Sequence, residues 1–177
     1  MYKRQGLDNS ARQLEHARTL MAAAAVDFPV VHASAESTGL PDGSFDVIFC
    51  DHGAMSFADP HRTVPEAARL LRPGGLLVFS MHTPILDLAW PADDEHPGDR
   101  LVLSYWELRR LEVPDEPMSF QLPYGRWIAL FREHGLQVED LIELRPAADA
   151  TSSYRDDADR EWALRWPMEH IWRVRRS

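Results

Sequence analysis

Between Ser44 and Met81 the chain reads SFDVIFCDHGAMSFADPHRTVPEAARLLRPGGLLVFSM, and this stretch constrains the fold more than any other. Phe45 to Cys50 is a short apolar run rich in Val, Ile and Phe, which predicts a buried strand. It stops abruptly at the polar set Asp51-His52-Gly53. Thr63 is expected to open a helix, because Thr-Val-Pro-Glu has the spacing that lets Glu66 reach back to the cap. Val64, Ala67, Ala68 and Leu71 then recur at helical spacing and form one apolar face. Arg72-Pro73-Gly74-Gly75 predicts the stop, and Leu76 to Phe79 a second apolar strand. The result is a strand-helix-strand crossover with a polar cluster at the carboxyl end of its first strand. Ligands bind at that end in open α/β sheets, so the pattern predicts a site as well as a fold.

The flanking sequence extends the alternation. Gly6-Leu7-Asp8-Asn9-Ser10 reads as an acidic turn, and Ser10 to Gln13 again has capping-box spacing. Leu14, Ala17 and Met21 form the inward stripe of a helix that Ala22 to Ala25 prolongs. Phe28 to Val31 is a short β-type run, followed by Ala33-Ser34-Ala35-Glu36 and the turn Pro41-Asp42-Gly43. Alternating helices and strands imply a mostly parallel sheet, helices on both faces. A length of 177 residues suits one domain spanning 1–177.

Residues from His82 to about Pro123 break the pattern. They are rich in proline, carry the acidic loop Asp93-Asp94-Glu95-His96, and hold Trp90, Tyr105, Trp106 and Phe120. Leu101 to Leu111 predicts a short helix within what reads as an insertion over a substrate site. Trp127, Leu130 and Phe131 then mark a helix ended by Gly135, and Leu136 to Leu144 a strand. A polar loop is expected from Ala147 to Arg160, and an antiparallel strand from His170 to Val174. The net charge of −9 argues against nucleic-acid or anionic-membrane partners. No run is long enough for a membrane helix and no secretory leader is legible, so a cytoplasmic location is expected. Cys50 is the single cysteine, and its place at the end of an apolar strand suggests burial.

The ordered set Gly-Leu-Asp-Asn-Ser, Ala-Glu, Pro-Asp-Gly-Ser-Phe-Asp-Val-Ile and Leu-Leu-Arg-Pro-Gly-Gly resembles a class I S-adenosylmethionine-dependent methyltransferase. The resemblance is greatest to the small-molecule group typified by quinone-biosynthesis enzymes. It implies a Rossmann-like fold, S-adenosyl-L-methionine as cofactor and a small-molecule acceptor. It further implies that Asp8 takes the ribose hydroxyls, a role favoured over the alternative of capping the following helix. Asn9, Ser34, Ala35 and Glu36 would border adenine, Ser34 standing where the family has Asp. Asp51, His52 and Gly53 would pass the methionine portion and face the substrate. The family's glycine-rich loop should lie roughly 20 residues before Asp8. No Gly-x-Gly occurs in the chain, so the first strand and glycine loop are expected to be missing and the chain to be a fragment that binds cofactor poorly and is inactive or weak by itself. A non-catalytic methyltransferase-like scaffold is the alternative.

Methyl transfer needs alignment, desolvation and, for a weakly acidic acceptor, a base. His52 and His82 each follow an expected parallel strand at its carboxyl end and are the candidates. Trp90, Tyr105, Trp106 and Tyr124 could wall an apolar acceptor. Asp93 to His96 are too contiguous for a metal cage, and no metal is expected. The patterns of an α/β-hydrolase elbow, a P-loop and a paired-cysteine zinc site are all missing from the sequence.

Overall fold

The described strands form three sheets, a large one of four strands and two two-stranded pairs, of which the first small pair precedes the large sheet; the structure, a computed structural model, describes residues 4–91, 95–111 and 118–177. Strand β1 (Gly6–Asp8), helix α1 (Ala11–Ala23) and strand β2 (Val30–His32) form a parallel pair with its crossover, Gly6 opposite Val30 and Asp8 opposite His32. The turn expected at Gly6–Asp8 is therefore a strand; three residues are too few for a hydrophobic period to show. Ser10 caps α1 as expected, its hydroxyl accepting from the Gln13 amide at 3.3 Å.

Strand β3 (Phe45–Asp51) leads through α2 (Ala54–Phe57) and α3 (Pro60–Leu70) into β4 (Leu71–His82). The predicted cap at Thr63 is a correction. Asp59 caps α3 instead, accepting from the His61 amide at 2.9 Å, with Pro60 in the first turn. An Asp-Pro start wins because proline's fixed φ suits that turn and its missing N–H costs nothing there. Glu66 does not reach back either. It accepts from the Thr38 amide at 2.8 Å and the Thr38 hydroxyl at 2.6 Å, and binds Arg69 from the next turn at 2.7 and 2.9 Å. These bonds, led by Arg69, hold its carboxyl down at about pKa 2. Arg72 to Gly75 does not separate the helix from the strand, because β4 already begins at Leu71. The four residues are instead a bulge, pairing jumping from Phe45–Leu71 to Val47–Leu76. Gly75 is required there: a Cβ would stand 2.8 Å from the Arg72 carbonyl oxygen.

After β4 come α4 (Pro84–Ala89), a 3₁₀ turn at Tyr105–Glu107 and a small antiparallel pair, β5 (Arg110–Leu111) with β6 (Ser119–Phe120). The helix expected over Leu101–Leu111 is therefore replaced by the 3₁₀ turn and an edge of strand, the Val102 amide being held by the Leu88 carbonyl at 2.7 Å. Helix α5 (Tyr124–Glu133), strand β7 (Leu136–Glu143), helix α6 (Asp157–Arg165) and strand β8 (Glu169–Arg176) complete the chain. Helix α6 begins inside the expected loop, because Asp156 caps it by accepting from the Ala158 and Asp159 amides at 2.9 and 3.0 Å.

The large sheet has the order β3-β4-β8-β7. Strands β3, β4 and β7 point one way and β8 the other, giving a Rossmann-like, mostly parallel sheet with one antiparallel strand. Its inner face carries Leu77, Phe79 and Met81 of β4 and Trp172 and Val174 of β8. Val64, Ala67 and Ala68 of α3 and Trp127, Leu130 and Phe131 of α5 close over them. Trp127 stacks on Phe131 at 5.5 Å between ring centroids, and Trp172 meets Phe131 edge-on at 5.3 Å. The strand expected to be buried over Phe45 to Cys50 is open instead: only its inner side, Ile48 and Cys50, packs on the core, while on the outer face Val47 and Phe49 are exposed, Phe49 to 79%. Replacing Phe79, 1% exposed, with Ala is expected to cost about 3–5 kcal/mol of unfolding free energy in a urea titration. Phe49→Ser should stay within about 0.5 kcal/mol of the parent.

Candidate active site

The carboxyl ends of β1 and β2 lie side by side, the Ala33 amide donating to the Asp8 carbonyl at 3.1 Å. Here Asp8 Oδ1 accepts from the Ser10 amide at 2.7 Å, so the carboxylate does cap the turn into α1. The Asn9 carbonyl accepts from His32 Nε2 at 3.0 Å. Ser34 Oγ accepts from the Glu36 amide at 3.2 Å and shapes the loop that presents Ala35. Glu36 turns away from that loop's mouth: it accepts from the Asp59 amide at 3.0 Å and pairs with Arg62 at 3.0 Å. Its role in the structure is to fasten the β2 loop to the start of α3.

The second group lies at the carboxyl ends of β3 and β4. Asp51 stands opposite Ser80, whose hydroxyl donates to its carboxylate. His52 then turns the chain with φ +42°, a left-handed conformation that costs a side-chain-bearing residue energy and marks sites where geometry is imposed. Gly53 follows in close quarters, since a Cβ there would lie 3.1 Å from Cys50 Sγ. The turn brings the His52 ring 5.4 Å from that of His82, edge to face.

Pairing of β8 with β4 supplies a residue that the sequence does not reveal. His82 is opposite Glu169, so both side chains leave the same face of the sheet. The Glu169 carboxylate lies 3.4 Å from His52 Nε2. Their attraction raises the pKa of His52 and lowers that of Glu169, against the opposing cost of burial. His82 is engaged differently. Arg155 Nη2 points at its Nε2 from 3.3 Å, while Asp87 lies 3.8 Å from its Nδ1. Gln121, 1% exposed, donates to the His82 carbonyl at 2.8 Å and to Asp87 at 2.9 Å. It also accepts from Trp127 Nε1 at 3.0 Å and so locks the β4 end to α5.

The expected aromatic wall is divided. Trp90 lies under the Arg155 guanidinium, 5.6 Å from its ring centroid, the same arginine that reaches His82. Tyr105 and Tyr124 belong to the inner side: the Tyr124 amide donates to the Tyr105 hydroxyl at 2.9 Å, and Tyr124 faces buried His170 at 3.4 Å. Trp106 is 84% exposed, its ring edge-on to Tyr105 at 5.2 Å. A cavity of about 460 Å³ is lined by Trp90, His96, Tyr154 and Arg155. A second, of about 550 Å³, runs past Leu144, Pro146, Arg155, Met168 and Glu169.

His96, Asp156 and Asp159 bring ligand-type atoms within 4.8 Å of one another, whereas Asp93 and Asp94 lie outside the described residues. Each ring nitrogen of His96 faces a carboxylate, Nδ1 to Asp159 at 3.2 Å and Nε2 to Asp156 at 3.4 Å. That is the arrangement of a charged imidazole cross-link, and its bond to Asp159 raises the His96 pKa.

This geometry has a known counterpart. Residues 3–79 match the family described as a methyltransferase domain. The crystal structure of an S-adenosylmethionine-dependent methyltransferase from Mesorhizobium loti superposes with a TM-score of 0.74 and 26% identity, over 97% of this chain and 79% of that one. The chain has the class I methyltransferase fold. The cofactor of that domain is S-adenosylmethionine. Among curated relatives, an uncharacterized methyltransferase of Bacillus subtilis, YcgJ, is 32% identical over 108 residues, 61% of this chain and 38% of that protein. The human thiol S-methyltransferase TMT1B is 27% identical over 114 residues, 56% of this chain and 45% of that protein. The chain thus spans less than half the length of these relatives.

Burial depresses the pKa of His170 to about 4 from an ordinary 6.5. The unfolded chain takes up this proton below about pH 6.5 and the folded chain only near 4, so stability is complete above that window and falls as pH drops through it. In urea titrations across pH, His170→Gln should flatten the loss between pH 6.5 and 4.

Proposed function

We propose that this chain, as a single methyltransferase-like domain over 1–177 with a substrate-side segment at about 82–123, transfers a methyl group from S-adenosylmethionine to a small-molecule acceptor. The observation that carries the reading is the polar cluster Asp51-His52-Gly53 at the carboxyl end of β3, facing His82 and Glu169 on a sheet of class I methyltransferase topology. The thiol S-methyltransferase among its relatives supports a small acceptor.

When bound, the cofactor supplies an electrophilic methyl on a sulfonium that departs as a neutral thioether. The residues present fit it. Among the described residues Asp8 engages only Oδ1, in its turn, which would leave Oδ2 for ribose hydroxyls. Asn9, the Ser34 hydroxyl and the Ala35 amide border the same strand ends and suit the adenine edge. Asp51 and Gly53 would pass the methionine portion. Glu36, committed to Arg62 and Asp59, serves by fixing that loop. Trp90 would give the acceptor an apolar wall, with His52 and His82 beside it. Methyl transfer asks little more of these side chains than alignment and exclusion of water.

Isothermal calorimetry of S-adenosylhomocysteine with the complete gene product tests the reading, since this chain carries no Gly-x-Gly and is expected to bind only weakly by itself. Binding is expected, and Asp8→Ala should weaken it by about tenfold or more, the loss of a charge-assisted bond. A protein that is folded yet gives no heat would overturn the reading in favour of a non-catalytic scaffold.

A further inference from the structure

The two histidines facing one another across the β3 and β4 ends are chemically unlike. In His82 both ring nitrogens face partners: a guanidinium donor stands against Nε2 at 3.3 Å and a carboxylate lies 3.8 Å from Nδ1. An arginine aimed at the Nε2 lone pair leaves that nitrogen no direction from which to take a substrate proton. In His52 one nitrogen faces a carboxylate. Nε2 is buried and has no hydrogen-bond partner among the described residues; the nearest acceptor is Glu169 Oε2, a charge contact at 3.4 Å. A carboxylate on one nitrogen of an imidazole fixes the tautomer and makes the other nitrogen the base.

We propose that His52 and Glu169 form a base pair of this kind, in which Glu169 holds Nε2–H and Nδ1 takes the proton of a weakly acidic acceptor, a phenol, enol or thiol. The proposal rests on the methyl-transfer reading and narrows it. Three further features agree with it. The +42° φ at His52 is a conformation maintained at a cost, which a loop free to relax would not keep. The same Glu169 lines the 550 Å³ cavity, whose walls include Leu144, Pro146 and Met168, so an apolar acceptor seated there would lie against the carboxylate that faces His52. Arg155 lines that cavity too and offers a cation to the developing anion.

The step balances. The electron pair of the acceptor's X–H bond stays on X and becomes the X–CH₃ bond, and the C–S pair leaves with the thioether. The proton goes to Nδ1, and the resulting imidazolium is stabilised by Glu169. The charged groups facing His52 are Glu169 on β8, Asp51 on its own strand, and Arg155 before α6, with His82 of β4 edge-on. Two acids oppose one cation, which favours the protonated ring once the proton has been taken. His82 is then a positioning residue, holding Arg155 beside the acceptor.

Nitrogen-detected NMR of the ¹⁵N-labelled complete gene product reads both parts of the arrangement. The neutral His52 ring is expected to carry its proton on Nε2, and Glu169→Gln should lower its titration midpoint by about one pH unit. A neutral ring protonated on Nδ1, or a midpoint unmoved by Glu169→Gln, would overturn the proposal. The tautomer is read in the parent protein, so that result does not depend on the variant folding. S-adenosylhomocysteine calorimetry on the same samples separates the two failures. A silent calorimeter beside an intact Nε2–H tautomer defeats the methyl-transfer reading, whereas heat beside an Nδ1–H tautomer defeats only the base assignment.

Discussion

The antiparallel docking of β8 onto β4 is the interaction on which the rest depends. It runs in unbroken register from Leu76 opposite Arg175 to His82 opposite Glu169. Its inner residues, His170, Trp172 and Val174, complete the aromatic core, and its outer residue Glu169 completes the polar cluster. Because side chains alternate, a slip of one residue would exchange Glu169 for His170 on the outer face and turn the Trp172 side chain out of the core. Packing and site are therefore specified together. The indole cannot settle among Phe79, Trp127 and Phe131 without placing the carboxylate against His52.

Legibility in the sequence follows the length of each signal. The crossover from Phe45 to Phe79, the cap at Ser10 and the stripe Trp127-Leu130-Phe131 are plain because each repeats a period or a local spacing. Gly6–Asp8 and the start of α6 are not, since a three-residue strand has no period and the charged first turn Asp157-Ala158-Asp159 reads as solvent-facing loop. The cap of α3 is misplaced because two signals compete, and the proline after Asp59 decides between them. At the site, Asp51-His52-Gly53 announces itself by ending an apolar run. Glu169 cannot, because its role comes from pairing with a strand far away in sequence, and a lone acid before an alternating strand is commonplace. Gln121 is invisible for a similar reason: its partners His82, Asp87 and Trp127 come from three elements.

Electrostatics in this chain is local rather than global. A net charge of −9 coexists with arginines placed one by one beside particular acids and carbonyls. Arg155 illustrates the point, reaching His82 Nε2 at 3.3 Å, Asp159 at 3.5 Å and the face of Trp90. Its neighbour His96, held between Asp156 and Asp159, ties the loop after α4 to the start of α6. One guanidinium and one imidazole thus organise a wall that no run of apolar residues could have formed.

The fastening between the small and large sheets has a different character from the core. No residue of β1, α1 or β2 belongs to either buried apolar cluster. Apart from the Gly43 amide on the Arg69 carbonyl at 2.9 Å, the described bonds that join the β2 loop to α3 are made by charged groups: Glu36 to Arg62 and the Asp59 amide, Glu66 to Thr38, Arg69 to Asp42 and the Leu40 carbonyl. Such bonds weaken with ionic strength where they are exposed, while apolar burial is strengthened by excluded salts. The two sheets therefore respond to salt with opposite signs. A concentrated electrolyte tightens the large sheet's interior while loosening its hold on the small one, so the relative placement of the two strand-end clusters is set partly by the medium.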